Sequence, residues 1–411
     1  MTASFDDDPY PGQPRILFLG PGDSTHTHSW MDLFDHGPVN VRLFVPPFMV
    51  PPPDSWKVKT YVPLYYYEVT DPVTRKRLYD EGKGKRALRT IAARLRRRHL
   101  DLHGIVTEWL TQIVAQWQPH VIHTFSLEAG QYFLPLRRAY PVLGRVPWVL
   151  QLRGGADLAW SHYDPAQREK IGEVLRACDQ ILSDNTDNFR IARGFGVREN
   201  QLSRIGTVPG TGGIDIEALS AGWHGKPSTR RMILWPKVYE WPWSKALPVF
   251  EALKICWERI QPCEIQMLAT TPDTEMFYWT LPDYMRKSCI LRKRVTRREA
   301  LEAMTNARVM LAPSLVDGTP NAMFEAMAAG ALPIVSPLDT IRPVVEDGVN
   351  VLFARNLYPN EIADALVRAM NDDALVDEIA QRNLELVARI ANRDEIRARV
   401  VSFYRSLAQA S

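Results

Sequence analysis

Cysteine is scarce in this chain. Its 411 residues include only Cys178, Cys256, Cys263 and Cys289, with no Cys-x2-Cys pair and no histidine beside any of them. That pattern argues against a zinc site or a disulfide framework and for buried thiols. No apolar run approaches the roughly 18 to 20 residues of a membrane span. The N-terminus, Met-Thr-Ala-Ser-Phe-Asp-Asp-Asp-Pro, is acidic where a signal peptide is basic and then apolar, so a cytoplasmic location is expected. The turn Gly20-Pro-Gly22 lacks the third glycine of a dinucleotide fingerprint, which argues against a nicotinamide cofactor. No Asp-x-Asp lies in a loop expected to face a cleft, so no metal and no other cofactor is expected. There is no internal repeat, and the only biased tract is the proline-rich run from Pro46 to Pro53.

What is present is the composition of a globular protein, 45% apolar and 24% charged, long enough for two or three domains. The net charge of +3 conceals a cluster. Residues 75 to 98 hold eleven Lys or Arg against two acids, a local balance of +9. From Lys83 to His99, Leu88, Ile91 and Leu95 follow helical spacing, which predicts an amphipathic helix with a cationic face. A solvated surface helix, or attraction to an anionic membrane surface or lipid diphosphate, both accommodate it. No nucleic-acid motif accompanies the charge, and no nucleic-acid partner is expected.

Short apolar runs alternate with helix-length segments. Strands are predicted at Arg15 to Leu19, Val41 to Val45, Val121 to His123, Trp148 to Leu152 and Gln180 to Leu182, then at Met232 to Trp235, Glu264 to Leu268, Val309 to Leu311 and Leu332 to Val335. Continuous apolar strands between helices imply parallel sheets covered on both faces. Two such series predict an α/β protein with two doubly wound, Rossmann-like domains, residues 1–219 and 229–391. The stretch Ser220 to Thr229 carries helix breakers and no periodicity, and is the expected linker. Residues 392–411 read as a terminal helix.

Ligands of open α/β sheets sit outside the carboxyl ends of the strands, so residues there are the first candidates. The run from Asp317 through Gly318, Thr319, Pro320 and Asn321 to Glu325 sets two carboxylates eight positions apart, across a turn and into a helix expected from Asn321 to Ala329, with Glu325 in its first turn and Gly330 as a left-handed cap. Two carboxylates there suit the vicinal hydroxyls of a sugar and a ribose. Equally, Asp317 is suited to capping a turn and Glu325 to complementing the helix dipole. Gly20 and Gly22 let the backbone approach a phosphate or sugar closely, or simply make a tight turn.

Residues 309 to 353 resemble the donor-binding signature of glycosyltransferase family 4. The run is Pro313-Ser314, the Asp317/Glu325 pair, Ala326-Met-Ala-Ala-Gly330, a strand, and Glu346-Asp-Gly-Val-Asn350, with Asp317 standing where the family has Glu. The resemblance implies a GT-B fold, two facing Rossmann-like domains with the terminal helix crossing back to the first. It also implies retaining, metal-independent transfer of a sugar from a nucleotide-diphosphate donor to a glycan, lipid-linked or small-molecule acceptor. Under it, Glu325 binds the ribose, Asp317 the donor sugar, and Lys245 with Lys237 the diphosphate. Gly318, Thr319, Pro320, Asn321, Gly20 and Gly22 join the donor site. His123 matches a strand-end histidine at the cleft, in Pro119-His-Val-Ile-His123, and Arg153-Gly-Gly-Ala-Asp157 matches a loop that places Arg153 and Asp157 on the acceptor side. Gly212-Gly-Ile-Asp215 resembles a hinge element.

Several positions depart from the pattern. Lys237 replaces an arginine, the spacing to Lys245 is long, and Leu338-Asp-Thr340 and Pro343 replace residues nearest the donor sugar. The signature is sparse between residues 46 and 118, where the family selects its acceptor. A GT-B subunit that binds without turnover and a sugar phosphorylase of the same fold stand as alternatives.

Overall fold

The computed structural model describes residues 7–35, 37, 39–53, 55–56, 58–63, 68–70, 102–223, 225–293 and 295–409. The basic stretch 75–98 lies outside them. Among the described residues two sheets form. The first contains β1 (Arg15–Leu19), β2 (Asn40–Phe44), β3 (Thr60–Val62), β4 (Glu68–Thr70), β5 (Val121–Phe125), β6 (Trp148–Leu152), β7 (Gln180–Ser183) and β8 (Leu202–Thr207) in the order β4-β3-β2-β1-β5-β6-β7-β8. All neighbours are parallel except the edge pair β3 and β4. The second contains β9 (Met232–Trp235), β10 (Glu264–Leu268), β11 (Cys289–Arg292), β12 (Ala307–Ala312), β13 (Leu332–Val335) and β14 (Leu352–Phe353), all parallel, in the order β11-β10-β9-β12-β13-β14.

Central strands such as β1, β5, β6 and β9 are buried along almost their whole length, which is why they read as largely apolar runs. The nine expected strands all form. Short or amphipathic strands toward the sheet edges, β3, β4, β8, β11 and β14, lacked such a run. All four cysteines are free, buried thiols, and burial pushes Cys256 up to about 12.

The expected linker is displaced. Val208 belongs to the core of the first domain, whereas Ile214 and Leu219 belong to that of the second. The chain therefore crosses between them, not at 220–229, and the helix Ile216–Ala221 packs in the second domain. The breakers at 220–229 terminate that helix instead. Gly212 and Gly213 take φ of 76° and 93°, and a Cβ on Gly213 would stand 2.9 Å from the Ala391 carbonyl oxygen and from Arg393 Cα. The close approach is to the returning chain. Ile214 N donates to Ala391 O at 2.7 Å and Arg393 N to Ile214 O at 3.1 Å, so the two crossings lie side by side as one hinge.

Beyond the hinge, the helix Arg393–Gln409 returns to the first domain, burying Ile396, Val400 and Tyr404 in its core against Phe18 and Phe34. Two facing parallel-sheet domains joined by this crossover make a GT-B fold.

Candidate active site between the two domains

A cavity of about 160 Å³ opens between the domains. Arg153 and Gly154, directly after β6, form the first domain's side of it. Lys237 and Tyr239 follow β9, and Pro313, Ser314 and Asp317 follow β12, on the other side. All leave carboxyl ends of strands, the place where open α/β sheets hold ligands.

Lys237 Nζ stands 3.7 Å from Asp317 Oδ2, and that carboxylate holds the ammonium above its ordinary pKa. Gly318 N donates to Asp317 Oδ1 at 2.9 Å, which orients the carboxylate. Gly318 also has no room for a side chain. A Cβ there would lie 2.7 Å from Gly154 Cα and from Asp184 Oδ2, both in the first domain. The domains touch at this glycine.

Glu325 is only 6% exposed and is paired with Arg297, Nη1 to Oε1 at 2.8 Å. Burial raises its pKa, and Arg297 and Lys237 draw it back. The helix that carries it runs Asn321–Ala328, with Pro320 as N-cap and Gly330 beyond it at φ 80°. Glu325 therefore sits in the second turn, not the first as expected: the helix starts at the expected Asn321, and the four residues ahead of Glu325 already complete a turn of about 3.6. Thr319, expected at the donor, is buried and donates to Thr340 O at 3.0 Å, holding the loop rather than the cavity. Asn321 accepts from Thr211 Oγ1 at 2.9 Å and bridges to the hinge, while Pro320 lines the cavity.

Other expected residues stand apart. Lys245 does not line the cavity: its ammonium meets Glu240 Oε1 at 2.9 Å, and its N–H donates to Asn356 Oδ1 at 3.0 Å. His123 is not at a cleft mouth, because β5 continues two residues past it and turns its ring into the core. There it is fully buried beside Phe18 and Phe125, its Nδ1 meets the Tyr404 hydroxyl, and burial drives its pKa well down. It ties the crossover helix to the sheet. Gly20 lies against Phe125 and Gly22 against Pro52, so close packing accounts for both and neither lines the cavity. Asp157 accepts from Leu127 N at 2.8 Å and Arg153 N at 3.2 Å, fixing two chain segments, with burial raising it to about 6. Arg153, expected on the acceptor side, shares the cavity with Lys237 and Asp317.

Residues not singled out from sequence complete the site. Trp235, Tyr239 and Trp243 line it, and Trp243 O accepts from Leu315 N at 2.8 Å, fastening the loop after β9 to the loop after β12. The aromatic density of Trp235 to Trp243 was a usable signal. Asp184 accepts from Gly154 N at 3.0 Å and Asn185 Nδ2 at 2.7 Å, and burial, with Asp317 nearby, raises it to about 7. His26 touches cleft solvent, yet protein surrounds it at longer range. Its pKa is lowered by that enclosure and by Arg153, Lys237 and Arg297. Among the described residues no three His, Cys, Asp or Glu side chains cluster to hold a metal ion.

Comparison with known proteins bears on this arrangement. Residues 260–372 match the family model described as glycosyl transferases group 1. No curated protein gives a match. Among solved structures, sucrose-phosphate synthase of Thermosynechococcus elongatus is similar at a TM-score of 0.72 and 15% identity, over 97% of this chain and 100% of that one. HepE of Anabaena, solved with UDP and glucose, is similar at 0.67 and 12%, over 96% and 100%. A glycosyltransferase of Rickettsia africae is similar at 0.65 and 8%, over 97% and 100%. At such identities the shared property is the fold, GT-B. The matched segment contains Arg297, Asp317 and Glu325.

Proposed function

We propose that this protein is a retaining glycosyltransferase that moves a sugar from a nucleotide-diphosphate donor to an acceptor hydroxyl without a metal ion. The observation that carries the reading is the cavity at the strand ends of both domains, where Lys237 and Asp317 from one side face Arg153 from the other. Lys237 bears on the diphosphate, whose negative charge grows as the sugar departs, and a cation fixed in a narrow cleft stabilises that charge. Asp317 accepts from donor-sugar hydroxyls, and Glu325, paired with Arg297, accepts from the ribose. The acceptor hydroxyl attacks from the face the diphosphate leaves. HepE was solved with UDP-glucose, which supports a nucleotide-sugar donor here.

The test is a screen of UDP-, GDP- and ADP-sugars, first by thermal shift and then by donor hydrolysis and transfer. A ligand at about 100 times its Kd stabilises by roughly 2.7 kcal/mol. Activity with the donor so found should survive EDTA. Complete loss, restored by magnesium or manganese, overturns the metal-independent assignment, and stabilisation without hydrolysis or transfer favours a binding subunit.

The acceptor is a glycan, a lipid-linked sugar or a small molecule, met at the cytoplasmic face of a membrane through the basic stretch 75–98. Each basic residue near an anionic surface contributes about 1 kcal/mol. Replacing Arg94, Arg96, Arg97 and Arg98 by Gln should therefore release the protein from phosphatidylserine vesicles at moderate ionic strength. Wild-type protein that never sediments with them would rule this contact out.

A further inference from the structure

Lys237, the second domain's cation on the cavity wall, and two further cations of that domain already have partners. Lys237 has Asp317 at 3.7 Å, Arg297 has Glu325 at 2.8 Å, and neighbouring Lys245 has Glu240 at 2.9 Å. Arg153 differs. Among the described residues no carboxylate lies within ion-pairing distance of its guanidinium, and its Nη1 is buried with no hydrogen-bond acceptor. The nearby carboxylates are engaged elsewhere: Asp157 with the N–H groups of Leu127 and Arg153, and Asp184 with Gly154 N and Asn185 Nδ2. The guanidinium stands instead 4.8 Å over the Phe125 ring, on the cavity wall. A buried cation that lacks an acceptor is costly unless an anion completes it. An arginine presents paired N–H donors that match phosphate oxygens, which a lysine cannot do.

Position adds to chemistry. Arg153 is followed by Gly154, whose Cα and N bound the space at Gly318 of the opposite domain. The guanidinium is thus fixed at the point where the domains meet, across the cavity from Lys237. Resting on the glycosyltransferase reading above, we propose that Arg153 is a phosphate ligand supplied by the first domain. It binds the donor diphosphate together with Lys237, so that closure of the two domains completes the charge on the leaving group. The second domain holds the nucleotide; the first contributes the cation that the departing diphosphate requires.

The experiment is calorimetric binding of uridine, UMP and UDP, with the guanosine and adenosine series beside them, to wild type, Arg153→Gln and Arg153→Lys. Loss of a charge-assisted pair corresponds to about 10- to 100-fold in affinity. Arg153→Gln should weaken the nucleoside diphosphate by that factor and leave the nucleoside unchanged, and Arg153→Lys should recover part of the loss. A general structural effect would weaken nucleoside and diphosphate alike and would overturn the proposal. So would an Arg153→Gln protein that binds the diphosphate as wild type does while its acceptor KM rises, which would return Arg153 to the acceptor. If wild type binds no nucleoside diphosphate in any series, the donor reading itself falls, and this inference falls with it.

Discussion

At the scale of single residues, the two carboxylates of the site have different neighbours and should fail differently. Glu325 is enclosed and paired with Arg297, whereas Asp317 is more open and shares its charge with Lys237. Glu325→Ala should therefore weaken free nucleoside diphosphate and nucleotide sugar alike, by about 1.5 to 3 kcal/mol. Asp317→Ala should weaken only the sugar conjugate. Titration calorimetry with both ligands checks the contrast, and equal binding of the free nucleotide by both variants and wild type would remove Glu325 from the ribose. The two lysines are separable in the same way. Lys237 lines the cavity and Lys245 is occupied by Glu240, so Lys237→Ala should reduce kcat by about 100-fold and Lys245→Ala by much less. The reverse order would assign the diphosphate to Lys245.

At the scale of elements, the segment after β12 carries both ligand residues, Asp317 in its loop and Glu325 in the helix that follows, and the contact between domains. Gly318 leaves space for Gly154 and Asp184, and a methyl group there meets backbone of the other domain at 2.7 Å. Gly318→Ala should hold the domains apart without unfolding either, since separation relieves the clash. The melting temperature should stay near wild type and nucleotide affinity should persist, while kcat falls by about 100-fold, the order of loss from misplacing a group by an ångström. Small-angle scattering in saturating nucleotide should show a larger radius of gyration than wild type. A fully active variant would mean that the contact at Gly318 is not part of the working state.

The legibility of these elements from sequence was uneven. β1, β6, β9 and β13 have the predicted bounds because each is a largely apolar run beside turn residues, and β10 has them although Glu264 and Gln266 alternate with its apolar residues. β5 exceeds its predicted end, since Thr124 and Phe125 break the simple pattern while remaining buried. That extension moved His123 from the strand end to its middle. Thr319 and Asn321 were legible as members of a ligand loop. The bonds to Thr340 and Thr211 that occupy them join segments far apart in sequence.

At the scale of the whole molecule, the interface between domains buries carboxyl groups, and this couples it to pH. Burial raises Asp184 from its ordinary 3.8 to about 7, and Asp157 to about 6. An acid held above its ordinary value binds its proton more tightly in the native protein than in the unfolded chain. The stability it contributes is complete below about pH 4 and is lost as pH rises to about 7. Melting temperature should accordingly fall across that window, and Asp184→Asn should flatten the fall, leaving the portion due to Asp157. An unchanged slope in Asp184→Asn would show that Asp184 ionises freely.

Local pattern by itself determined that the chain folds as two parallel α/β units, because strand and helix periodicity is a property of neighbouring residues and central strands must be apolar throughout. It also determined that a loop bearing Asp317 leads into a helix that bears Glu325 and is capped at Gly330, since glycine and proline act on the backbone where they stand. Tertiary structure alone decided which charges meet. Lys237 reaches Asp317 and Arg297 reaches Glu325 within the second domain, and among the described residues Arg153 has no carboxylate within ion-pairing distance, because the packing of elements, not spacing along the chain, sets those distances. It likewise decided what the hinge pairs with. The crossing between Val208 and Ile214 includes part of the Gly212 to Asp215 run that the sequence offered as a hinge element, but its pairing through Ile214 with residues 391–393 is a contact that no local signal reveals.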